Sequence, residues 1–148
     1  MYLDASAIIS ILAKEDDAGY LVAKLERATK PIYCSSMTVF EAVISLARRI
    51  ANEQHGNQAP IPPAIIDEAQ RHVDALLEAL RVRELTISGT THRKAVEAAR
   101  TYGKFVAHPA RLNMGDCFVY ACAKEYRLPL LFKGDDFSRT DIEIPDAR

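Results

Sequence analysis

Short apolar runs alternate with longer amphipathic segments along this chain. The runs are "MYL" (1–3), "PIYCSS" (31–36), "LTIS" (85–88) and "LPLLF" (128–132). Their length and turn-rich flanks predict short strands, and runs of continuous apolar residues are typical of buried parallel strands. Strands that alternate with helical segments predict an α/β fold with a central, mainly parallel sheet flanked by helices.

Between these runs, apolar residues recur at three- and four-residue spacing, which predicts helices. Six are predicted, over 4–13, 16–29, 37–54, 64–82, 90–103 and 117–127. Asp4 is well placed to cap the first helix, and Thr38 followed by Glu41 has the pattern of a capping box for the third. The stripes Ile8, Ile9, Leu12 and Val39, Val43, Leu46 are rich in apolar residues, which fits either burial or a docking surface.

Length and composition favour one domain, 1–148. The turn-rich segment "HGNQAPIPP" (55–63) separates no regions of different composition, so it predicts a loop. With 19 Lys and Arg against 20 Asp and Glu, the net charge of −1 gives no global basic field, so any nucleic-acid binding must be local.

The cysteines and the start of the chain predict a reducing compartment. Cys34, Cys117 and Cys122 form neither a paired framework nor a metal motif, which favours buried thiols. "MYLDASAIIS" lacks the layout of a secretory leader, and no apolar run approaches 18 residues. We therefore expect a cytoplasmic protein.

Acidic residues follow the predicted strands closely. Asp4 follows "MYL", Asp135 and Asp136 follow "LPLLF", and Glu41 and Asp116 lie near predicted helix starts. In a parallel α/β sheet these positions share the edge where ligands bind. Each could instead be a helix cap or a solvated surface residue, but unrelated caps have no reason to meet at one edge.

If these carboxylates meet, they require a cation, since several neighbouring carboxylates otherwise take up protons. A set of oxygen ligands suits Mg²⁺, with Mn²⁺ as a substitute, rather than Zn²⁺. The histidines offer no paired ligand spacing; they are His55, His72, His92 and His108.

Three segments carry a resemblance to a known family. "MYLDASAII", "TVFEAVISLARR" and "LNMGDCFVYACAKEYRLPLLFKGDDFSRTDI" are similar to PIN-domain ribonucleases, and most to the VapC toxins of bacterial toxin–antitoxin pairs. The resemblance spans nearly the whole chain and implies a PIN-like fold. The segment around 52–65 is longer than the family leads us to expect.

The resemblance implies roles for individual residues. Asp4, Glu41 and Asp116 match the three acidic residues of the family's metal site, and Asp136 matches the fourth, in a "GxDF" motif. Asp135 occupies the variable position of that motif and is a supporting residue at most. Ser6 matches a small hydroxyl that hydrogen-bonds the metal site. Basic residues must also contact the RNA backbone around an acidic site. The main candidates are Lys133, Arg139 and Arg111, of which Lys133 and Arg139 flank the acidic turn, and further candidates are Arg93, Lys94 and Lys104.

The resemblance further implies a metal-dependent endoribonuclease toxin, a homodimer and neutralisation by a VapB-type antitoxin. Three alternatives remain open. A nuclease that is not a toxin and a non-catalytic metal-binding interaction module both fit the same fold. An aspartyl phosphotransferase would use Asp4 as nucleophile, but it usually needs a second acid two residues later, where this chain has Ser6.

Overall fold

The computed structural model describes residues 1–145 as a parallel sheet between two layers of helices. The strands are Tyr2–Leu3 (β1), Tyr33–Ser35 (β2), Arg83–Leu85 (β3) and Leu130–Leu131 (β4). The α-helices of the described residues are Ala5–Leu12 (α1), Ala18–Glu26 (α2), Ser36–His55 (α3), Pro63–Ala79 (α4), Thr91–Tyr102 (α5) and Met114–Glu125 (α6). Two 3₁₀ turns lie at Lys104–Val106 and Phe137–Arg139.

The four strands form a sheet in the order β3-β2-β1-β4, and every neighbouring pair is parallel. Tyr2 of the central strand β1 pairs with Tyr33 on one side and Leu130 on the other. The predicted α/β fold is confirmed. Because the strands are parallel, their carboxyl ends all lie along one edge.

Side chains from successive residues of a strand enter different cores, as the two-residue period of a strand requires. Leu3 and Leu131 pack into the core beneath α1 to α4. Tyr2 and Leu130 pack into the opposite core, beneath α5 and α6. The sheet is therefore covered on both faces.

The two apolar stripes are used mostly inside the chain. Ile8, Val43 and Leu46 are at most 7% exposed, and Ile9, Leu12 and Val39 are partly buried around them. Helices α1 and α3 pack together with α4 in this layer. The stripes therefore do not by themselves indicate a docking surface.

Several predicted boundaries were wrong. Strand β3 ends at Leu85, so "LTIS" is not a strand; its later residues turn towards α5, where the backbone N–H of Ser88 donates to Oγ1 of Thr91. Helix α6 begins at Met114, three residues earlier than predicted. The cysteines are buried free thiols, as predicted. Within residues 1–145, none of the helices combines the length and apolarity needed to cross a membrane.

Candidate active site

Asp4 follows β1 directly and caps α1. Its backbone N–H donates to the carbonyl of Leu131 (3.0 Å), which fixes it against β4. Its Oδ2 accepts from the backbone N–H of Ser6 (3.1 Å) and from the Ser6 hydroxyl. The residue is only 5% exposed, and this burial raises the pKa of Asp4 despite the hydrogen bonds from Ser6. The predicted cap is confirmed, and the carboxylate is held rigidly.

Ser6 joins two parts of the sheet edge. Its hydroxyl donates to Asp4 and accepts from the backbone N–H of Lys133 (3.0 Å), which lies in the turn after β4. One hydroxyl therefore positions the Asp4 carboxylate relative to the turn that contains Asp136.

Glu41 lies in the second turn of α3, and the predicted capping box with Thr38 was wrong. The cap is Ser35, whose Oγ accepts from the backbone N–H of Thr38 (3.4 Å). The hydroxyl of Tyr2 donates to Ser35 Oγ (2.8 Å) and lies 2.7 Å from the Thr38 hydroxyl in a buried network. That network, and no capping bond from Glu41, sets the start of α3.

The Glu41 carboxylate instead reaches the first turn of α6. A Cβ atom placed on Gly115 would lie 2.8 Å from Oε2 of Glu41. The absence of a side chain at Gly115 therefore makes room for Glu41 beside Asp116, the next residue.

Asp116 is the third residue of α6 and lies inside the helix, not before its start as the predicted range 117–127 implies. Its Oδ2 accepts from the backbone N–H of Asn113 (2.8 Å), and Oδ1 of Asn113 accepts from the backbone N–H of Asp116 (3.0 Å). This reciprocal capping box fixes the Asp116 carboxylate at the helix start. The cap uses only Oδ2, so a structural role and a ligand role are compatible.

The turn after β4 carries the adjacent aspartates. Gly134 has a φ of +95°, and the buried Phe137 packs against Phe132 with ring centroids 5.2 Å apart. Phe137 directly follows Asp136, which precedes the 3₁₀ turn and is exposed. Asp135 is exposed too, and its carbonyl accepts from the Ser138 hydroxyl (2.6 Å).

Electrostatic interactions connect the four carboxylates across four elements. Burial, then Asp4 and Asp116, raises the pKa of Glu41 to about 7. Burial, then Asp4 and Asp136, raises the pKa of Asp116 to about 6, although the hydrogen bond from Asn113 opposes this shift. Asp136 also raises the pKa of Asp4. Asp4, Glu41, Asp116 and Asp136, which we call the acidic cluster, therefore share one electrostatic environment.

The donor set of the acidic cluster fits a hard cation. Within residues 1–145, no three His, Cys, Asp or Glu side chains form a ready-made ion shell. An ion would therefore keep part of its water shell or draw the carboxylates inward. Mg²⁺ suits the first arrangement, since it keeps several waters and uses one or two carboxylates.

The predicted RNA-contacting residues differ in their surroundings. The ammonium of Lys133 pairs with Glu15 and lies 3.4 Å from Asp17, so its charge is already balanced in part. Arg139 lies in the 3₁₀ turn after Asp136, and Arg111 precedes α6; both side chains are exposed. RNA contact by these three residues stays a prediction.

Two positioning residues were missed by the sequence analysis. Asn113 caps α6, and the spacing Asn113 to Asp116 is a recognisable capping pattern. Gly115 makes room for Glu41, but no local pattern signals a contact between residues so distant in the chain.

Comparison with known proteins identifies what this chain is similar to. The family model of the PIN domain matches residues 1–143. A VapC ribonuclease of Rhizobium meliloti is 40% identical over 143 residues, which cover 95% of this chain and 98% of that protein. Ribonuclease VapC42 of Mycobacterium tuberculosis is 36% identical over 142 residues, 96% of each chain.

A solved structure has the same fold. VapC20 of Mycobacterium tuberculosis, a toxin that cleaves the sarcin-ricin loop, superposes with a TM-score of 0.65 over 98% of both chains. The sequence identity is 15%, so this likeness bears on the fold.

Proposed function

Because this chain belongs to the PIN-domain family and is a VapC-type relative over nearly its full length, we propose that it is a Mg²⁺-dependent endoribonuclease. The observation that carries the proposal is the acidic cluster. Its members come from four separate elements at the carboxyl edge of the sheet, where burial and neighbouring carboxylates raise the pKa values of Asp4, Glu41 and Asp116. Such an arrangement is unfavourable for stability alone and is typical of functional sites.

Asp4 and Asp116 would be the principal ligands, because hydrogen bonds fix both carboxylates. Glu41 and Asp136 complete the acidic cluster directly or through water. When bound there, Mg²⁺, or Mn²⁺ as a substitute, would supply water activation and neutralisation of charge on the phosphodiester.

The chain's own residues prepare the site in distinct ways. Ser6 holds Asp4 in place, and Asn113 holds Asp116. Burial and the neighbours Asp4 and Asp116 raise the pKa of Glu41 to about 7, so in the metal-free protein it holds a proton below that pH. Asp136 is exposed at the rim, where an RNA strand would enter.

The direct test is cleavage of a mixture of single-stranded and hairpin RNAs by purified, partner-free protein. We expect cleavage with added Mg²⁺ or Mn²⁺ and none in excess EDTA, because these residues offer no other way to activate water. Undiminished cleavage in EDTA would reject the metal-dependent mechanism.

Charge-neutral variants separate a ligand role from a capping role. Asp4→Asn and Asp116→Asn keep the shape. Asn caps helices as well as Asp does, and an amide oxygen at position 116 can still accept from the backbone N–H of Asn113. We expect each to lower the cleavage rate at least about 100-fold without lowering the melting temperature, because each removes a buried charge. Asp67→Asn, at an exposed position on α4, is the matched control and should cleave normally. Loss of folding in the two site variants would favour the structural alternative.

We further propose that the chain is a toxin with a VapB-type antitoxin, and that it forms a homodimer. The support is its relationship to VapC ribonucleases over nearly the full length of both chains. The alternatives are a nuclease that is not a toxin and a non-catalytic module. RNA cleavage by the purified protein would reject the non-catalytic module. Growth arrest on expression of the chain alone would reject the nuclease that is not a toxin.

A further inference from the structure

A short turn next to the acidic cluster presents an exposed aromatic ring. Phe105 is 63% exposed and lies in the middle of the 3₁₀ turn Lys104–Val106. The backbone N–H of Lys104 donates to the carbonyl of Leu112 (3.0 Å), and that of Leu112 donates to the carbonyl of Tyr102 (3.1 Å). The turn is thereby attached to the residue that precedes Asn113, the cap of α6.

The turn is tightly built rather than loose. A Cβ atom on Gly103 would lie 2.3 Å from the carbonyl oxygen of Ala99, so only glycine fits where the turn leaves α5. Ala107 ends the turn with a φ of +56°. The ring of His108 packs edge-on against Tyr102, with centroids 5.3 Å apart. Phe105 is therefore displayed from a defined backbone.

Phe105 borders a small apolar hollow. The hollow has a volume of about 140 Å³, and Phe105, Met114, Phe118 and Val96 are among its lining residues. Met114 is 64% exposed and Val96 53%. An apolar cavity of about 150 Å³ accommodates benzene. The hollow is therefore on the scale of a single aromatic ring.

The positively charged side chain of Lys104 interacts with both the hollow and the acidic cluster. The ammonium of Lys104 lies 5.9 Å from the centroid of the Phe105 ring. Lys104 also interacts electrostatically with Asp116, whose pKa it lowers. Met114 precedes Asp116 by two residues in the first turn of α6. Lys104 and the first turn of α6 thus adjoin both the hollow and the acidic cluster.

We propose that Phe105, Met114 and Lys104 form a subsite for one unpaired nucleotide of the RNA substrate, with the base on Phe105 and its phosphate at Lys104. A nucleotide has this combination of a flat apolar face and an adjacent anion, and stacking on aromatic side chains is the usual way proteins hold single-stranded bases. The inference rests on the proposed ribonuclease function. It assigns the strand next to the scissile bond to the α5 and α6 side of the acidic cluster.

The test measures the affinity of metal-free protein, in EDTA, for fluorescently labelled single-stranded RNA. Phe105→Ala and Phe105→Leu should each weaken binding about ten-fold, whereas Phe105→Trp should keep it, because stacking needs a ring. Lys104→Met should weaken binding and reduce the slope of log affinity against log salt by about one. Tyr20→Ala, which removes a 56% exposed ring beside Lys24 on α2, is the matched control and should bind normally.

An abasic nucleotide identifies the stacked base. In a series of RNAs that each lack one base, removal of one particular base should weaken binding to the wild-type protein. Removal of the same base should not weaken binding to Phe105→Ala any further. Unchanged binding by Phe105→Ala, full binding by Phe105→Leu, or a dimer that dissociates in Phe105→Ala would overturn the subsite, the last in favour of an interface between copies. Wild-type protein that neither binds nor cleaves RNA would overturn the proposed function as well; wild-type cleavage with unaffected Phe105 variants overturns the subsite alone.

Discussion

Glu41 shows how neighbouring carboxylates at the sheet edge change the pKa of a single residue. In the absence of a cation, burial and the neighbours Asp4 and Asp116 raise its pKa from 4.5 to about 7. The pKa of Asp116 rises from 3.8 to about 6, because of burial and the neighbours Asp4 and Asp136. At pH values between the ordinary and the raised pKa of each group, the folded protein holds protons that the unfolded chain releases.

The metal-free protein should therefore lose stability as the pH rises from about 4.5 to 7, because unfolding then releases protons. We expect the melting temperature in EDTA to fall by a few degrees more in the wild type than in Glu41→Gln over this range. Thermal unfolding at pH 5 and pH 8 checks this difference. Added Mg²⁺ should raise the melting temperature more at pH 8, where it does not compete with protons. Equal pH dependence in wild type and Glu41→Gln would contradict the assignment.

The adjacent aspartates make a second prediction at this scale. Asp136 interacts electrostatically with both Asp4 and Asp116, so Asp136→Asn should lower the rate of RNA cleavage sharply, about ten-fold or more. Asp135→Asn should leave the rate within a few-fold. Initial rates at saturating Mg²⁺ provide the measurement, and the reverse ranking would show that the motif is displaced by one residue.

At the scale of the element, local patterns predicted well what depends on local chemistry. Asp4 caps α1 because a carboxylate directly after a strand can accept from the next helix turn. The start of α3 was misplaced because Thr38 and Glu41 imitate a capping box, whereas the true cap, Ser35, is selected by a buried bond from Tyr2, 33 residues away. Strand β3 was misplaced because Arg83 and Glu84 are exposed on an edge strand, which leaves little apolar signal.

The contact between Gly115 of α6 and Glu41 allows an effect on metal binding to be distinguished from an effect on stability. Gly115→Ala should displace the Glu41 carboxylate, whose flexible end would lie 2.8 Å from the new methyl group. The Oδ1 atom of the cap Asn113 would lie 3.2 Å away and would need to shift by only a few tenths of an ångström. Because alanine favours helix over glycine by up to about 1 kcal/mol, the melting temperature should not fall. The affinity for Mg²⁺, measured by titration calorimetry, should drop about ten-fold with the loss of one ligand's position.

Gly103→Ala is the contrasting variant. Its methyl group would meet the backbone of Ala99, which cannot move aside as a side chain can. We expect a loss of about 1–3 kcal/mol in the free energy of unfolding by urea titration. If Gly115→Ala proved equally destabilising, the room beside Glu41 would be a packing requirement rather than a feature of the site.

At the scale of the whole molecule, the fold class followed from the order of strands and helices, and the carboxylates followed from the edge that parallel strands share. The geometry that couples Glu41 to Asp116 did not, because it depends on how α3 and α6 meet.

The relationship to VapC ribonucleases adds a prediction about the cell. Expression of the wild-type chain alone should halt bacterial growth, and Asp116→Asn should not. Co-expression of an antitoxin encoded beside it should restore growth. Normal growth with soluble, RNA-cleaving protein would indicate a nuclease that is not a toxin.

The pairing of β1 with both β2 and β4 has a consequence for when the acidic cluster assembles during synthesis of the chain. The ribosome makes Asp4 first, but the strand that holds its backbone, β4, and the turn that carries Asp136 emerge more than 120 residues later. At about 5–20 residues per second, that interval lasts several seconds or more. A nascent chain therefore carries an incomplete acidic cluster until β4 and the turn after it have left the ribosome, and the order of the strands along the chain delays assembly of the site.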